Sequence, residues 1–377
     1  MVSFFWRTSE LIEIHVGGRA AAFDSSGNLW LADAYHAGFE GIYKYDFSKE
    51  RYNLYHVVEG NETNKEWQHG KMKIMGDIIY LFPVIGESIY IYNFANNTKK
   101  IVKTLKEKDE AFYITEDGES IYLLSSKNTY MYRFKFGYEL FDESAIIQGL
   151  KKVGFTELRM VDGTGDRIGK MSFFSCERKS IIEVELNDNS YKEISLNKIS
   201  EELFSVEYMN DKYWILLNNS LNVYSCNPKT GGVIEYYAEI KEIPRSIPYN
   251  GLKYVNNQRI LLNAYFGRIM KISEDDKRVK PLFEDEADSY NEEKLYGGMY
   301  SDSLLYGNNY YFIPNMGEYI VKINHDFQKE KKFLSMALLD DDEGMALFSN
   351  SFKSGLDVFR ENDGAYSIKN YISYIVH

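Results

Sequence analysis

The chain has 377 residues, 44% hydrophobic and 27% charged, a composition that can bury a sizeable core and excludes intrinsic disorder. Its 44 Lys and Arg stand against 56 Asp and Glu, and the resulting net charge of -12 repels phosphate backbones and anionic lipid surfaces. Nucleic acid and membrane are therefore not expected partners.

Only two cysteines occur, Cys176 and Cys226, too few for a disulfide-stapled secreted fold, and both read as buried thiols. The opening residues "MVSFFWRTSELIEIHV" lack a basic leader followed by a sustained apolar stretch and a small-residue cleavage site. No window reaches the roughly 18 to 20 apolar residues that a spanning helix needs. A cytoplasmic location is the expectation.

With 32 Tyr and 23 Phe against 6 Pro, the composition favours strands. In chain order, the segment Glu10–Val16, "ELIEIHV", reads as a lone strand. Ala22–Ala34, "AFDSSGNLWLADA", then sets Ser25, Ser26, Gly27 and Asn28 as a turn between two apolar segments, with Trp30 just beyond it. This is a hairpin, and Trp30 is expected to wedge between neighbouring sheets. From there, four-strand units follow one another at the 40- to 50-residue spacing typical of propeller blades. The first ends in "RYNLYHVV", the second runs from "GKMKIMGD" to "KKIVKTL", and the third from "EAFYITEDG" to "YELFDESAI". The fourth spans "FTELRMVDGTGD" to "YKEISL", the fifth "FSVEYMNDK" to "GVIEYYAE", the sixth "GLKYVNNQ" to "KRVKPLF" and the seventh "GMYSDSLLYGNN" to "KKFLSM". Short amphipathic stretches at Glu143–Lys152 and Leu196–Phe204 read as helical excursions between strand clusters.

After the seventh unit, residues 344–372 align with its first three strands and lack a fourth. Residues 10–16 would supply that strand. The expected architecture is all-β: one closed β-propeller domain over 1–377, of eight four-stranded blades with seven as the alternative, the last blade formed by 338–377 and completed by the N-terminal strand. Closure of this kind removes the open edge that would template aggregation.

Asp24, Gly27 and Trp30 in "FDSSGNLWLAD" make the chain resemble the NHL-type and sensor-associated bacterial β-propellers, which carry an Asp-x-x-Gly-x-x-Trp turn. "ITEDGESIYLL", from Ile114, is a weaker copy. The resemblance implies the propeller architecture alone, because that fold hosts hydrolases, lyases, isomerases and pure binding scaffolds.

Lettering the strands of each unit a to d, the antiparallel order sends the b–c and d–a connections to one face. These are the longer loops, and function tends to sit on such loops. His15, His36 and His69 fall there with Glu40 and Glu66, and imidazole with carboxylate suits a divalent metal or acid-base chemistry. No HExxH or paired-Cys spacing supports a metal, and no cofactor is expected beyond that possibility. His56, His325 and His377 map elsewhere. The cations Arg19, Lys71, Arg178, Arg245, Arg268 and Arg360 reach the same face and could grip a carboxylate-bearing ligand. The aromatics Tyr35, Trp67, Tyr249, Tyr265 and Tyr296 offer flat surfaces for a sugar ring or peptide side chain.

"VDGTGDRIGK", Val161–Lys170, lacks the GK[ST] ending of a phosphate loop and reads as a long hairpin turn, with Asp162 and Asp166 a poor match to calcium-loop spacing. No GxSxG occurs. The leading expectation is a non-enzymatic binding platform for a protein, peptide, carbohydrate or small anionic ligand. The alternative is a lyase, hydrolase or isomerase acting on a carbohydrate or peptide through His36 and His69 with Glu40 or Glu66.

Overall fold

A computed structural model of the chain describes residues 6–8, 11–16, 20–32, 41–58, 69–84, 86, 88–103, 112–116, 119–137, 139–163, 169–238, 249–255, 258–263, 269–283, 300–314, 319–340 and 343. The chain divides into two compact units, one formed by Met1–Asp109 with Tyr300–His377 and the other by Glu110–Met299.

The first unit holds three four-stranded antiparallel meanders. Sheet 1 comprises Ala20–Phe23, Leu29–Ala32, Gly41–Asp46 and Arg51–Val57; sheet 2 comprises His69–Met75, Ile78–Pro83, Ser88–Asn93 and Thr98–Lys103. Sheet 7 comprises Tyr300–Tyr306, Asn309–Pro314, Tyr319–Asn324 and Lys329–Leu334. Second strands are buried almost throughout, as in Leu29–Ala32 and Ile78–Pro83, because a neighbouring sheet covers each face. One core joins sheet 1 to sheet 2 through Trp30, Ile42, Met72, Leu81 and Tyr90. Another joins it to sheet 7 through Leu31, Tyr43, Tyr311, Ile320 and Phe333.

Sheet 7 is thus the direct neighbour of sheet 1. Phe23 stacks on Tyr306 with ring centroids 4.8 Å apart, and the Tyr45 hydroxyl donates to the Leu334 carbonyl. Seven four-stranded sheets are present among the described residues, which matches the alternative count of the sequence reading; no further sheet separates the seventh from the first. The N-terminal strand Leu11–His15 pairs antiparallel with Met336–Leu339, in register Ile12 to Leu339 and His15 to Met336. Met336–Leu339 in turn runs parallel beside the fourth strand of sheet 1, with Ala337 opposite Tyr52. The pair lies on the outer edge of sheet 1, joined by Trp6–Thr8. The remainder of the expected closing blade, 344–377, lies outside the described residues.

The second unit holds the other four sheets. Sheet 3 comprises Phe112–Glu116, Ser120–Ser125, Met131–Lys135 and Glu139–Asp142; sheet 4 comprises Leu158–Met160, Lys170–Ser175, Ser180–Glu185 and Tyr191–Ser195. Sheet 5 comprises Leu203–Met209, Lys212–Leu217, Val223–Cys226 and Val233–Ala238; sheet 6 comprises Tyr249–Val255, Gln258–Asn263, Ile269–Ser273 and Arg278–Pro281. The outer strands of sheets 5 and 6 pair in parallel, Tyr237 opposite Arg278. Helix Ser144–Lys152 forms where its amphipathic spacing predicts and buries Ile146, Ile147 and Leu150 between sheets 3 and 4. Leu196–Phe204 forms no helix. Leu196 and Ile199 instead enter the core between sheets 4 and 5, and Leu203 opens a strand.

The "DGTGD" segment has a structural task within this unit. Asp162 donates its N–H to the Val206 carbonyl and accepts from the Tyr208 N–H, bridging sheets 4 and 5. Its Oδ1 accepts from Thr115 Oγ1 at 3.2 Å and from the Gly163 N–H. Gly163 has φ +74, and a Cβ there would lie 2.5 Å from the Tyr208 carbonyl oxygen, so only glycine fits this crossing. Asp166 lies outside the described residues. Cys176 and Cys226 are both free thiols; Cys226 is buried, which pushes its pKa up to about 11, and Cys176 is partly exposed.

Candidate functional site

Of the residues expected on the b–c and d–a face, Arg19, Tyr35, His36, Glu40, Glu66, Trp67, Arg245, Tyr265, Arg268, Tyr296 and Arg360 lie outside the described residues. The rest are placed as follows. His69 opens the first strand of sheet 2 opposite Pro83 and is 4% exposed. Lys71 follows on the same strand, opposite Phe82. His15 lies beyond Met336–Leu339 on the outer edge of sheet 1, so that strand and three strands of sheet 1 separate it from the inner strand Ala20–Phe23 that borders sheet 2. At about 4.8 Å per strand, the backbone does not bring His15 and His69 together.

Two expected ligand contacts are structural. Tyr249 is fully buried in the core between sheets 5 and 6, its hydroxyl donating to the Leu221 carbonyl at 2.9 Å, so its ring offers no surface to a ligand. Arg178 turns from its loop toward the end of helix Ser144–Lys152. Its guanidinium lies 4.6 Å from the Phe155 ring centroid and reaches the Val153 carbonyl at 3.5 Å, where a cation complements the negative end of the helix. Among the described residues, no three histidine, cysteine or carboxylate side chains gather as metal ligands.

A formed cleft exists at the opposite end of the first unit, between the tight turns of sheets 1 and 2. Its volume is about 350 Å³. The wall on sheet 1 is built by the hairpin turn that sequence reasoning singled out. Asp24 Oδ1 accepts the Ser26 and Asn28 N–H groups, each at 2.9 Å; Oδ2 accepts Asn28 Nδ2 at 2.8 Å and Trp30 Nε1 at 2.9 Å. Burial pushes the Asp24 carboxyl pKa up, but these four donors outweigh it and hold the group below its ordinary range. The carboxylate is ionised and internally saturated.

Trp30 closes the floor, 1% exposed, stacked on Phe94 of sheet 2 at 5.0 Å and met edge-on by Tyr55 at 4.8 Å. Its wedging between sheets is as the sequence predicts. Lys44, the cross-strand neighbour of Trp30, sets its ammonium 5.4 Å from the indole centroid. Behind the floor, His56 stacks on Tyr92 at 4.1 Å and shares a 2.7 Å hydrogen bond with the Tyr90 hydroxyl. Burial and the Lys99 charge push the His56 pKa down to about 4. Sequence reasoning set His56 aside because it maps away from the b–c and d–a face, and passed over Lys44 inside its strand; the cross-strand register with Trp30 is the signal that finds Lys44.

No protein-family model matches the chain, and no curated protein matches its sequence. Solved structures do. A streptogramin B lyase superposes with TM-score 0.55 at 13% identity, over 89% of this chain and 98% of its own. The fold is a β-propeller. The extracellular domain of BT4673 from B. thetaiotaomicron superposes with TM-score 0.53 at 14% identity, over 84% of this chain and 39% of its own. YCF48 bound to D1 peptide does so with TM-score 0.50 at 10% identity, over 89% of this chain and 96% of its own. Such identities establish the architecture and leave the activity open.

Proposed function

We propose that this β-propeller is a non-enzymatic binding platform that holds a protein, peptide or small anionic ligand on its b–c and d–a connections. The supporting observation is the asymmetry of connection length. Two-residue first-to-second strand turns occur at 76–77, 210–211 and 307–308, whereas the d–a connections at 58–68, 239–248 and 282–299 are far longer. Long loops on a buried four-stranded scaffold are where recognition surfaces are built. Arg19, Arg245, Arg268 and Arg360 with Trp67, Tyr265 and Tyr296 are the anion-gripping and stacking groups of this reading, and His36, Glu40 and Glu66 are polar contacts. Structural relatives such as YCF48 with its D1 peptide support the use of this architecture for binding.

The test is a thermal-shift panel of acidic peptides and organic anions on the wild type and on Arg245→Ala/Arg268→Ala. A ligand that binds the native state raises Tm by mass action, and the double variant should lose that rise. Ligands that shift both proteins equally, or neither, would sink the reading. Turnover of a bound carbohydrate or peptide that disappears in His36→Ala would replace it with the enzymatic one.

A further inference from the structure

The cleft between sheets 1 and 2 lies at the opposite end of each sheet from those connections, and its chemistry is independent of them. Three charged side chains line it: Asp24, Lys44 and Asp77. Asp24 has no acceptor capacity left, since its four hydrogen bonds fill both oxygens. Lys44 and Asp77 are different. Among the described residues the Lys44 ammonium makes no ion pair or hydrogen bond, and it lies over the Trp30 ring. The Asp77 carboxylate is likewise unpaired, its residue tied down only through the backbone, where its carbonyl accepts from the Phe94 N–H. A partly buried ammonium and a free carboxylate thus share one small cleft without neutralising each other.

The rest of the lining is complementary to a hydroxylated ring. Ser25 and Ser26, both exposed, are among the lining residues. The Tyr55 side wall is 46% exposed, the part of this aromatic cluster that a ligand can reach, since Trp30 is sealed beneath it. At about 350 Å³ the cleft sits near the lower end of small-molecule sites, which run from roughly 300 to 1,000 Å³, so it suits one ring and excludes a folded partner.

We propose that this cleft binds a sugar acid, a polyhydroxylated ring carrying one carboxylate. Lys44 takes the carboxylate in a charge-assisted hydrogen bond, Asp77 accepts from ring hydroxyls, Ser25 and Ser26 complete the polar contacts, and Tyr55 covers the apolar C–H face of the ring. A simple apolar acid satisfies Lys44 and leaves Asp77 facing an aliphatic or aromatic edge. A neutral sugar satisfies Asp77 and leaves the ammonium unmatched. Only a ligand with both functions uses the whole site.

Isothermal titration calorimetry of the full chain with D-glucuronate, D-glucose and benzoate tests this. Glucuronate should bind saturably, and glucose and benzoate at least about tenfold more weakly, the scale of one charge-assisted hydrogen bond. Lys44→Gln should weaken glucuronate by about tenfold or more while leaving glucose unchanged, and Asp77→Asn should weaken both sugars. Tyr55→Ala, at an exposed position, should also weaken both and serves if Lys44→Gln fails to fold. Glucuronate heats that do not saturate, or glucuronate binding unaltered in Lys44→Gln and Tyr55→Ala, would overturn the site. Benzoate binding as tight as glucuronate would overturn the sugar component of the assignment.

Discussion

Trp30 Nε1 donates to Asp24 Oδ2 at 2.9 Å, so the first hairpin of sheet 1 is closed by a side-chain bond beneath its own turn. Trp214 holds a comparable place on the second strand of sheet 5, fully buried, yet its Nε1 meets no acceptor among the described residues. Its neighbour there is the Arg259 guanidinium, 4.6 Å from the ring centroid. One tryptophan is locked by an anion in its own hairpin; the other is covered by a cation from the next sheet.

Asp24→Ala should therefore destabilise strongly. It removes three turn hydrogen bonds, from the Ser26 N–H, the Asn28 N–H and Asn28 Nδ2, and leaves the buried Trp30 N–H unsatisfied, a loss of about 3 kcal/mol at 1 to 3 kcal/mol for the orphaned donor plus the lost turn bonds. Asp24→Asn should fall between, because its amide oxygen can still serve the Ser26 and Asn28 N–H groups while its NH₂ faces donors. Trp214→Phe supplies the contrast. It removes ring volume but breaks no hydrogen bond, so it should cost less than Trp30→Phe, which also frees an Asp24 lone pair. Urea unfolding of the four variants measures this, and Trp214→Phe costing as much as Trp30→Phe would refute the hydrogen-bond explanation.

The pH dependence follows from His56 beside the same seam. Its folded-state pKa is about 4 against the ordinary 6.5 of the unfolded chain, so the unfolded chain binds the extra proton first. The stability from neutral His56 is fully present above pH 6.5 and is lost as pH falls from there toward 4. Asp24, whose pKa is also depressed, acts only below its ordinary value of 3.8. Between pH 6.5 and 4 the Tm of the wild type should fall more steeply than that of His56→Gln, which can keep a bond to the Tyr90 hydroxyl. Lys99 is the charge acting on His56, so Lys99→Gln should shallow the wild-type slope. Parallel Tm profiles for wild type and His56→Gln would remove His56 from the account.

Strand patterning made most of this architecture legible in advance. Alternating apolar residues broken by turn residues mark the seven units, and the Asp24–Trp30 spacing marks the hairpin and its wedge. Blade number was harder to read, because the residues after 344 resemble the first three strands of the seventh unit. What decides the neighbour of sheet 1 is the packing of Phe23 on Tyr306 and Tyr45 on Phe333, long-range contacts with no local signature. Site residues chosen by type and loop position carry the same blind spot. Tyr249 and Arg178 have the right chemistry for a ligand, but a neighbouring carbonyl and a helix end claim their polar groups first. Lys44 has the opposite history: a mid-strand lysine looks like a solvated face until the register places it over Trp30.

The joint between the last sheet and the N-terminal strand gives the final prediction. Ser335 interrupts the outer strand of sheet 7, after which Met336–Leu339 crosses to the edge of sheet 1. There Val16 and Ser335 exchange bonds: the Val16 N–H donates to the Ser335 carbonyl at 3.0 Å, and Ser335 Oγ donates to the Val16 carbonyl at 2.6 Å, both residues fully buried. Ser335→Ala leaves a buried carbonyl short of one donor and should cost about 1 to 2 kcal/mol in urea unfolding. Deleting residues 2–16 does more, because it strips the partner from Met336–Leu339 and opens a pairing edge. That truncation should lower Tm well beyond Ser335→Ala and form oligomers on size-exclusion chromatography. Were the truncated chain monomeric and as stable as the wild type, the N-terminal strand would be an ornament on sheet 1 and the joint would be held by the Tyr45–Leu334 and Phe23–Tyr306 contacts alone.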